Sequence, residues 1–253
     1  MAKKINEIKA ELKAATFEML PFFMEEYKED ERAGVKALVR KAETEIAKRE
    51  AELQRLQLMR AYENEYDMCE YICGIDEAGR GPLAGPVVAG AAILPKDAQI
   101  LYLNDSKKLS ASKRDELYDE IKEKAIAVGV GIVSPERIDE INILQATYEA
   151  MRIAIKELGV TPDILLNDAV TIPGVETKQV PIIKGDAKSV SIAAASIMAK
   201  VTRDKIMEEY DKMYPEYGFA GHKGYGSAAH IEAIKTYGPS PIHRKTFIKN
   251  FID

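Results

Sequence analysis

The chain has few of the residues that several classes of protein depend on. Its 253 residues include two cysteines and no tryptophan, and the three histidines all fall within the last 32 residues. Cys69 and Cys73 lie roughly 13 Å apart if the segment between them is extended, which is too far for a disulfide. No further cysteine is present to complete a zinc site. We therefore expect two free thiols and a reducing, cytoplasmic location.

Long apolar runs are also missing. The first residues, MAKKINEIKAELKA, are charged and lack the apolar core of a signal peptide. The longest apolar runs, such as residues 192–199, are far shorter than the ~20 residues that span a bilayer. Neither the G-x-S-x-G elbow of serine hydrolases nor the G-x-G-x-x-G and G-x-x-x-x-G-K-[ST] nucleotide-binding motifs occur. We expect no association with membranes and no nucleotide cofactor.

Neither sign of charge dominates the composition. Thirty-six Lys and Arg against 41 Asp and Glu give a formal net charge of −5. A net-acidic protein binds nucleic acid only through a local basic surface, so such a surface has to be sought in particular segments. The length of the chain is typical of one or two domains.

Residues 1–68 differ from the rest of the chain in their pattern of apolar and charged residues. Apolar residues recur at helical spacing, Pro21 and Gly34 separate the segments, and acidic and basic residues are mixed. This pattern predicts an N-terminal all-helical extension of two or three helices. Its role stays open between a packing or solubility appendage and an accessory substrate-binding unit.

Residues 69–253 have the sequence pattern of an α/β domain that ends in a helical and basic segment. The order of elements is strand, strand, helix, strand, helix, strand, strand, helix, which suits a mixed five-stranded sheet flanked by helices. A long helix is expected to begin at Ser189. The strands are predicted to begin at Tyr71 and to cover Val87–Leu94, Ile126–Val133, Asp163–Asn167 and Val180–Lys184.

Carboxylates follow three of these strands: Asp76 with Glu77, then Asp168, then Asp186. The carboxyl ends of strands in an open α/β sheet are where ligands bind, so we expect one acidic patch. Neighbouring side chains alternate across a strand, and Asp76 and Glu77 serve one site only if the strand ends between them. All-oxygen ligands suit Mg²⁺ or Mn²⁺. Alone, the first pair fits equally well a hairpin whose turn carries solvated charges.

Basic and hydroxyl residues cluster in short blocks after the acidic positions. Each block alone is typical of a solvated surface, but beside a metal site such residues are expected to contact the phosphates of a nucleic acid. Tyr225, between glycines, offers a face for stacking. The blocks are Asn104, Ser106, Lys107 and Lys108; Lys184 and Lys188; Lys200, Thr202 and Arg203; and His222, Lys223 and Tyr225.

The segments GIDEAGRGPLAGPVVAGAAIL, NDSKKLS, DILLNDA, KGDAKSVSIAAASIMAKVTRD and YGFAGHKGYG resemble, in order, the motifs of ribonuclease HII. The resemblance covers nearly all of residues 71–247. It implies a ribonuclease H-like fold in which Asp76, Glu77, Asp168 and Asp186 hold two divalent ions, Mg²⁺ or Mn²⁺. Two departures from the family pattern are the N-terminal extension and Asn167, where a small apolar residue is usual.

The same resemblance assigns the residues that recognise the substrate. The G-R-G turn, here Gly79, Arg80 and Gly81, is expected to contact the ribose 2′-hydroxyl. Tyr225 is expected to pack against the sugar at an RNA–DNA junction.

The function expected from this resemblance is an endoribonuclease. It would cleave the RNA strand of RNA/DNA hybrids and ribonucleotide-containing duplex DNA by two-metal, in-line hydrolysis, leaving 3′-hydroxyl and 5′-phosphate ends. We expect a monomer. The alternatives are another two-metal nuclease on the same fold and a non-catalytic nucleic-acid-binding module.

Overall fold

Apolar residues at helical spacing fold the N-terminal part of the chain into helices. The structure is a computed structural model that describes residues 3–252, and it divides the chain into two units after Gln57. The first unit contains α1 (Ile5–Ala14), α2 (Leu20–Tyr27) and most of α3 (Ala33–Met59). Its own small core is formed by Ile8, Leu20, Phe23, Tyr27, Val35 and Ala42. The predicted N-terminal helical region is confirmed.

The second unit is built on a sheet with strand order β3-β2-β1-β4-β5. β1, β2 and β3 pair antiparallel, whereas β4 pairs parallel to both β1 and β5. The predicted mixed five-stranded sheet flanked by helices is thus confirmed. Its elements are α4 (Ala61–Glu65), β1 (Ile72–Ala78), β2 (Val87–Ile93), α5 (Ala111–Lys124), β3 (Ala127–Val133), α6 (Pro135–Glu157), β4 (Ile164–Asp168), β5 (Lys178–Ile182), α7 (Val190–Met213), α8 (Phe219–His222), α9 (Ala228–Tyr237) and α10 (Lys245–Ile248).

Serine residues fix where the helices of the second unit begin. The hydroxyls of these N-cap serines accept the N–H of a residue in the first turn, which would otherwise lack a partner. Ser110 caps α5 in this way, and Ser189 caps α7 at the position where the sequence predicts that a long helix begins. The two further serine caps are Ser134 before α6 and Ser227 before α9.

Helix α6 begins at Pro135, nine residues before Leu144, where the helical apolar period of the sequence starts. The cause is a break at Asn142, whose φ of 68° and ψ of 163° are not helical. The Asn142 side chain accepts the N–H groups of Leu144 and Gln145, and so acts as a second N-cap inside the element. The apolar period seen in the sequence therefore belongs only to the part of α6 that follows this cap.

Two helices cover the faces of the sheet at short distance. Helix α6 packs on the face that carries Cys73 and Ile75, and α7 packs on the other face, against β1 and β2. Glycine makes the second contact possible. A Cβ on Gly74 would lie 2.0 Å from the carbonyl carbon of Ser191, and one on Gly90 would lie 2.2 Å from the Ala195 oxygen. The glycines thus bring the backbone of α7 directly onto the two central strands.

Two further expectations concern the cysteines and the membrane. Both Cys69 and Cys73 are free, and Cys73 is buried in the sheet, as predicted. Across residues 3–252, none of the helices has both the length and the apolar character that crossing a bilayer requires.

The close packing of α7 makes Gly90 intolerant of a side chain. We expect Gly90→Ala to lower the free energy of unfolding by at least about 2 kcal/mol, because the new methyl group meets backbone that cannot turn aside. The measurement is denaturant unfolding. Gly221→Ala is the control, since a Cβ there meets nothing within 4 Å. Equal stability of the two variants would contradict the packing argument.

Candidate active site

The register of two parallel strands brings the first two carboxylates together. The last paired residues of β1 and β4 are Ile75 and Asn167, so Asp76 and Asp168 are next neighbours at the same edge of the sheet. Asp76 is still paired with Gly90 of β2 on its other side. The Asp76 side chain faces α7, is buried, and accepts the N–H of Glu77 at 2.7 Å.

The third carboxylate is delivered by a turn and not, as predicted, directly by a strand end. β5 stops at Ile182, and Lys184 adopts the left-handed conformation (φ 57°, ψ 48°). Asp186 follows in a short 3-10 turn, Gly185–Ala187. The Gly185 N–H donates to Oδ1 of Asp168 at 2.7 Å, which ties the turn to β4.

These three carboxylates form one cluster. Asp76, Asp168 and Asp186 each have an oxygen that lies within 4.8 Å of the corresponding oxygens of the other two. Their ligand atoms are all carboxylate oxygens and the site is largely buried, which suits a hard divalent cation such as Mg²⁺ or Mn²⁺. The residues present therefore fit the metal that the sequence predicts.

Glu77 lies outside this cluster of three. β1 continues to Ala78, so the strand does not end between Asp76 and Glu77, which is the condition under which both would serve one site directly. The cause is that β2 keeps pairing with β1 for three residues after β4 has stopped. Alternation then directs Glu77 away from the α7 face. Its Oε1 accepts from Nη1 of Arg80 at 3.3 Å.

Burial and mutual repulsion leave the carboxylates poorly compensated. Burial, followed by the charge of Glu77, raises the pKa of Asp76 well above its usual range. Burial is also the main cause of the raised pKa values of Glu77 and Asp186. Partial burial lowers the pKa of the Lys107 ammonium group, but the charges of the surrounding aspartates outweigh that effect and the net pKa is raised. A bound cation would relieve the repulsion that these shifts record.

Two residues at the cluster were not singled out from the sequence. Asp105 raises the pKa of Asp186, after burial, and its own side chain accepts the N–H of Lys107 at 2.9 Å. Ser196 of α7 hydrogen-bonds to Asp76, and its Oγ lies 2.9 Å from Oγ of Ser106. Asp105 lies inside the predicted NDSKKL block, so the sequence could have pointed to it. Nothing in the sequence pointed to Ser196 except its position one helical turn before Lys200.

The predicted substrate residues of the NDSKKL block lie beside the cluster in different degrees of exposure. Ser106 is buried, whereas Lys107 and Lys108 are exposed. Oδ1 of Asn104 accepts the N–H of Asp105 at 2.9 Å, which helps to fix the turn.

A groove of about 580 Å³ brings together Lys200, His222, Lys223 and Tyr225. It is not uniformly basic. Nζ of Lys200 contacts Asp204 at 2.6 Å and Nζ of Lys223 contacts Glu208 at 2.7 Å. Burial lowers the pKa of Lys200. Both ring nitrogens of His222 are engaged by backbone groups of Tyr217 and Gly224, so this ring shapes the groove instead of offering a free nitrogen.

The G-R-G turn and Tyr225 lie against each other, although 144 positions separate Gly81 from Tyr225 in the sequence. A Cβ built on Gly81 would be 3.8 Å from Cε1 of Tyr225. The Leu83 N–H donates to the Gly224 carbonyl at 2.8 Å and joins the two loops. Arg80, Gly81 and Tyr225 are exposed, and Tyr225 keeps 47% of its surface accessible.

Arg203, which the sequence placed among the phosphate contacts, is instead in the interior with 1% of its surface exposed. Its guanidinium donates to the carbonyls of Ala84, Pro86 and Lys223 at 2.9–3.1 Å. A side chain held in this way supports the loop after β1 and presents nothing to a phosphate. Its place within a helical stretch of the sequence did not reveal that the guanidinium points inward.

Arg244 has the same role and was missed within the basic tail. It is fully buried and donates to the carbonyls of Gly79, Arg80 and Gly85 at 2.6–2.9 Å. Burial, reinforced by the charge of Arg203, lowers the pKa of Arg244 to about 9. Arg244 thus holds the carbonyl groups of the G-R-G turn from behind.

Asn167, the departure from the family pattern, does not disturb the cluster. It is buried and lies on the face of β4 opposite to Asp168. Its Nδ2 donates to Oε1 of Gln179 at 2.8 Å and to the Val170 carbonyl at 3.1 Å. Asn167 therefore anchors the β4–β5 connection.

A mixed sheet whose central parallel strands gather carboxylates at one edge, next to a groove lined by basic and aromatic side chains, defines the class of ribonuclease H-fold nucleases. Comparison with solved structures agrees. The ribonuclease H2 of Pyrococcus horikoshii superposes with a TM-score of 0.60 at 30% identity, over 72% of this chain and 96% of that one.

Sequence comparison narrows the class. The ribonuclease HII family profile matches residues 73–250, and that of the ribonuclease HII N-terminal domain matches residues 4–67. The ribonuclease HII of Lachnoclostridium phytofermentans is 63% identical, covering 98% of this chain and 97% of that protein. That of Clostridioides difficile is 54% identical over 99% of both chains. The chain belongs to the ribonuclease HII family and is a ribonuclease H, hence a hydrolase.

If the carboxylates repel one another without metal, removing one charge should not weaken the fold. We expect Asp186→Asn to leave the stability of the metal-free protein unchanged or to raise it by roughly 1 kcal/mol or less. Mg²⁺ should raise the melting temperature of the unaltered protein more than that of the variant. Calorimetry with and without Mg²⁺ measures both effects. An equal Mg²⁺ effect on the two proteins would show that Asp186 does not hold the ion.

Proposed function

We propose that this ribonuclease H cleaves the RNA strand of RNA/DNA duplexes and also cuts duplex DNA on the 5′ side of a single embedded ribonucleotide. The products carry 3′-hydroxyl and 5′-phosphate ends. The observation that supports the second activity is the contact of Tyr225 with the G-R-G turn, which begins only two residues after Glu77. The G-R-G turn, proposed to detect a ribose, and Tyr225, proposed to detect the neighbouring sugar, thus lie side by side at the edge of the sheet that carries the carboxylates.

Asp76, Asp168 and Asp186 are proposed to hold divalent ions, Mg²⁺ or Mn²⁺, with Glu77 reached from the neighbouring position on β1. Two such ions, when bound, would supply a nucleophilic water at neutral pH and stabilise charge on the leaving 3′-oxygen. The protein's own contribution is to fix three carboxylates on two parallel strands and one turn. Ser196 hydrogen-bonds to Asp76 from α7 and restrains the most buried of the three.

The basic residues near the cluster are proposed to position the phosphate backbone. Lys107 is exposed, and its charge is held in place by the aspartates around it. Once cations neutralise those aspartates, the ammonium group is available to a phosphate. Lys200 and Lys223 line the groove beyond, where their paired acids keep each ammonium group in a defined position.

Discrimination between RNA and DNA is proposed to reside in the backbone of the G-R-G turn. Glycine lets backbone groups approach a sugar closely, and the 2′-hydroxyl is what distinguishes a ribonucleotide at one position. Arg244 engages the carbonyls of Gly79 and Arg80 from the interior. The outward groups of the turn are thereby held ready for the hydroxyl. The ring of Tyr225 would favour a deoxyribose on the 3′ side.

Three matched duplexes test this substrate specificity: one ribonucleotide, four ribonucleotides and none. We expect cleavage of the first two and at least ~10⁴-fold slower cleavage of all-DNA duplex, because a site built to bind a hydroxyl rejects its absence strongly. Product lengths report the position of the cut. Cleavage of the four-ribonucleotide substrate alone would refute junction recognition.

The contribution of Tyr225 is separable from that of its hydroxyl group. Tyr225→Ala should weaken the preference for a single ribonucleotide over the four-ribonucleotide duplex, whereas Tyr225→Phe should largely keep it. Tyr237→Ala removes another exposed tyrosine and serves as the control. The preference is measured as the ratio of kcat/KM for the two substrates, and an unchanged ratio in Tyr225→Ala would oppose the assignment.

We propose that the N-terminal helical unit is an accessory substrate-binding unit. The enzyme itself is proposed to be a cytoplasmic monomer. It has its own core and a surface of mixed charge. The segment 58–68, which the sequence analysis assigned to the extension, has contacts that belong to the catalytic unit. Oε1 of Glu63 accepts from Ser189 Oγ at 2.6 Å and from the Ser191 N–H at 3.0 Å, at the start of α7.

A truncated chain should accordingly start at Leu58 and not near Glu70. We expect it to fold, to cut at the same positions and to show mainly a raised KM, because the catalytic groups all lie in the second unit. Steady-state kinetics on the single-ribonucleotide duplex measures this. A fall in kcat by orders of magnitude at saturating substrate would show that the first unit takes part in the chemistry. A chain starting at Glu70, which lacks Glu63, is expected to be less stable.

A further inference from the structure

The three histidines of the chain lie together, away from the carboxylates. The rings of His222 and His230 stack with their centroids 4.3 Å apart, and Nε2 of His230 is 3.0 Å from Nε2 of His243. Phe219 packs its ring against all three. His230 and His243 are buried, with 0% and 3% of their surfaces exposed. Two ring nitrogens in contact require that one donates and the other accepts.

Backbone groups fix which nitrogen of each ring carries the proton. The Ser240 N–H can only donate, and it points at Nδ1 of His243 at 2.9 Å, so this nitrogen is unprotonated. The single proton of the neutral His243 ring is then on Nε2 and is donated to Nε2 of His230. The proton of His230 must therefore be on Nδ1, which lies 2.9 Å from the Tyr225 carbonyl. The chain of donors runs in one direction, from Ser240 to Tyr225.

Burial favours the neutral rings that this chain needs. Burial lowers the pKa of His230, and burial with the neighbouring His230 lowers that of His243 to about 4. A second proton on either ring would set two donors against each other, at Ser240 or between the rings. The chain of hydrogen bonds from Ser240 to Tyr225 is therefore complete only when both rings are neutral.

The two ends of the chain belong to the two parts of the proposed recognition site. At one end, the Tyr225 carbonyl accepts from His230 and the Tyr225 N–H donates to the His222 carbonyl, so the backbone is fixed beneath the exposed ring. At the other end, His243 forms a β-bridge with Ala84 and directly precedes Arg244. Arg244 in turn holds the G-R-G carbonyls.

We propose that His230 and His243 are positioning residues, which set the Tyr225 ring relative to the G-R-G turn through this directional hydrogen-bond chain. The inference rests on the proposed role of Tyr225 at the RNA–DNA junction. The two histidines touch no substrate in this scheme. Their effect is on which duplex is preferred, not on the hydrolytic step.

The tautomers can be measured without an activity assay. Long-range ¹H–¹⁵N NMR spectra of the ¹⁵N-histidine-labelled full-length protein near pH 7.5 should show His243 as the Nε2–H tautomer and His230 as the Nδ1–H tautomer. Opposite tautomers in adjacent rings are the signature of the chain. The same tautomer in both rings, or a positively charged ring, would overturn it.

Two substitutions at His243 separate the two halves of the chain. A glutamine amide reaches the position of Nε2 and still donates to His230, whereas an asparagine oxygen reaches only the position of Nδ1 and keeps the bond from Ser240. We expect His243→Gln to keep the preference for one ribonucleotide over four within about twofold. His243→Asn should lower it roughly fivefold to tenfold, as the loss of one hydrogen bond implies. In both variants kcat on the four-ribonucleotide duplex should stay within about twofold.

Controls distinguish positioning from general loosening. Phe219→Leu weakens the packing around the same rings but removes no hydrogen bond, so it should lower the melting temperature and keep the preference. An equal loss of preference in Phe219→Leu and His243→Asn would overturn the proposal, and so would an unchanged preference in His243→Asn. Tyr225→Ala, measured in parallel, identifies the point of failure. If it also has no effect, junction recognition by Tyr225 is wrong and the positioning role falls with it.

Discussion

Two buried guanidinium groups hold the loop between β1 and β2 of this enzyme in place. Arg203 and Arg244 donate to six carbonyls, five of them within residues 79–86, the loop that leads from β1 to β2. A buried charge is costly unless it is compensated, and here carbonyl dipoles provide much of the compensation. Few conformations of the loop satisfy both groups at once. These hydrogen bonds hold the G-R-G turn in place, and the neighbouring Tyr225 loop is joined to it through Lys223 and Gly224.

In contrast to the two guanidinium groups, the carboxylates at the edge of the sheet are poorly compensated. Asp76, Asp168 and Asp186 are brought within 4.8 Å of one another by the parallel β1–β4 register and by a turn tied to β4, with little positive charge to balance them. The raised pKa values of Asp76 and Asp186 show that this arrangement costs electrostatic energy in the folded chain. Binding of divalent cations would relieve this repulsion. The proposed recognition site is thus built on compensated charges, and the proposed catalytic site is built on uncompensated ones.

The close contact of α7 with the sheet connects these two regions. Gly74 and Gly90 let the helix backbone lie directly on β1 and β2, so that successive turns of α7 reach different parts of the site. Ser196 meets Asp76, Lys200 lines the groove, and Arg203 holds the loop after β1. A helix held further from the sheet would place none of the three correctly. This explains why a run rich in alanine and serine carries so much of the site.

Local patterns in the sequence determined the helices, their serine caps, most strands and the edge at which acids collect, because caps and periodicity act over a few residues. The successive motifs also determined the family. Other features were decided by the tertiary structure alone: Glu77 outside the cluster, Arg203 and Arg244 turned inward, and the proton positions on His230 and His243. Each depends on partners distant in the chain, such as Arg244 and Gly79, which are 165 positions apart. A side chain's identity gives its charge and its hydrogen-bonding groups, but only the packed structure decides which groups it meets.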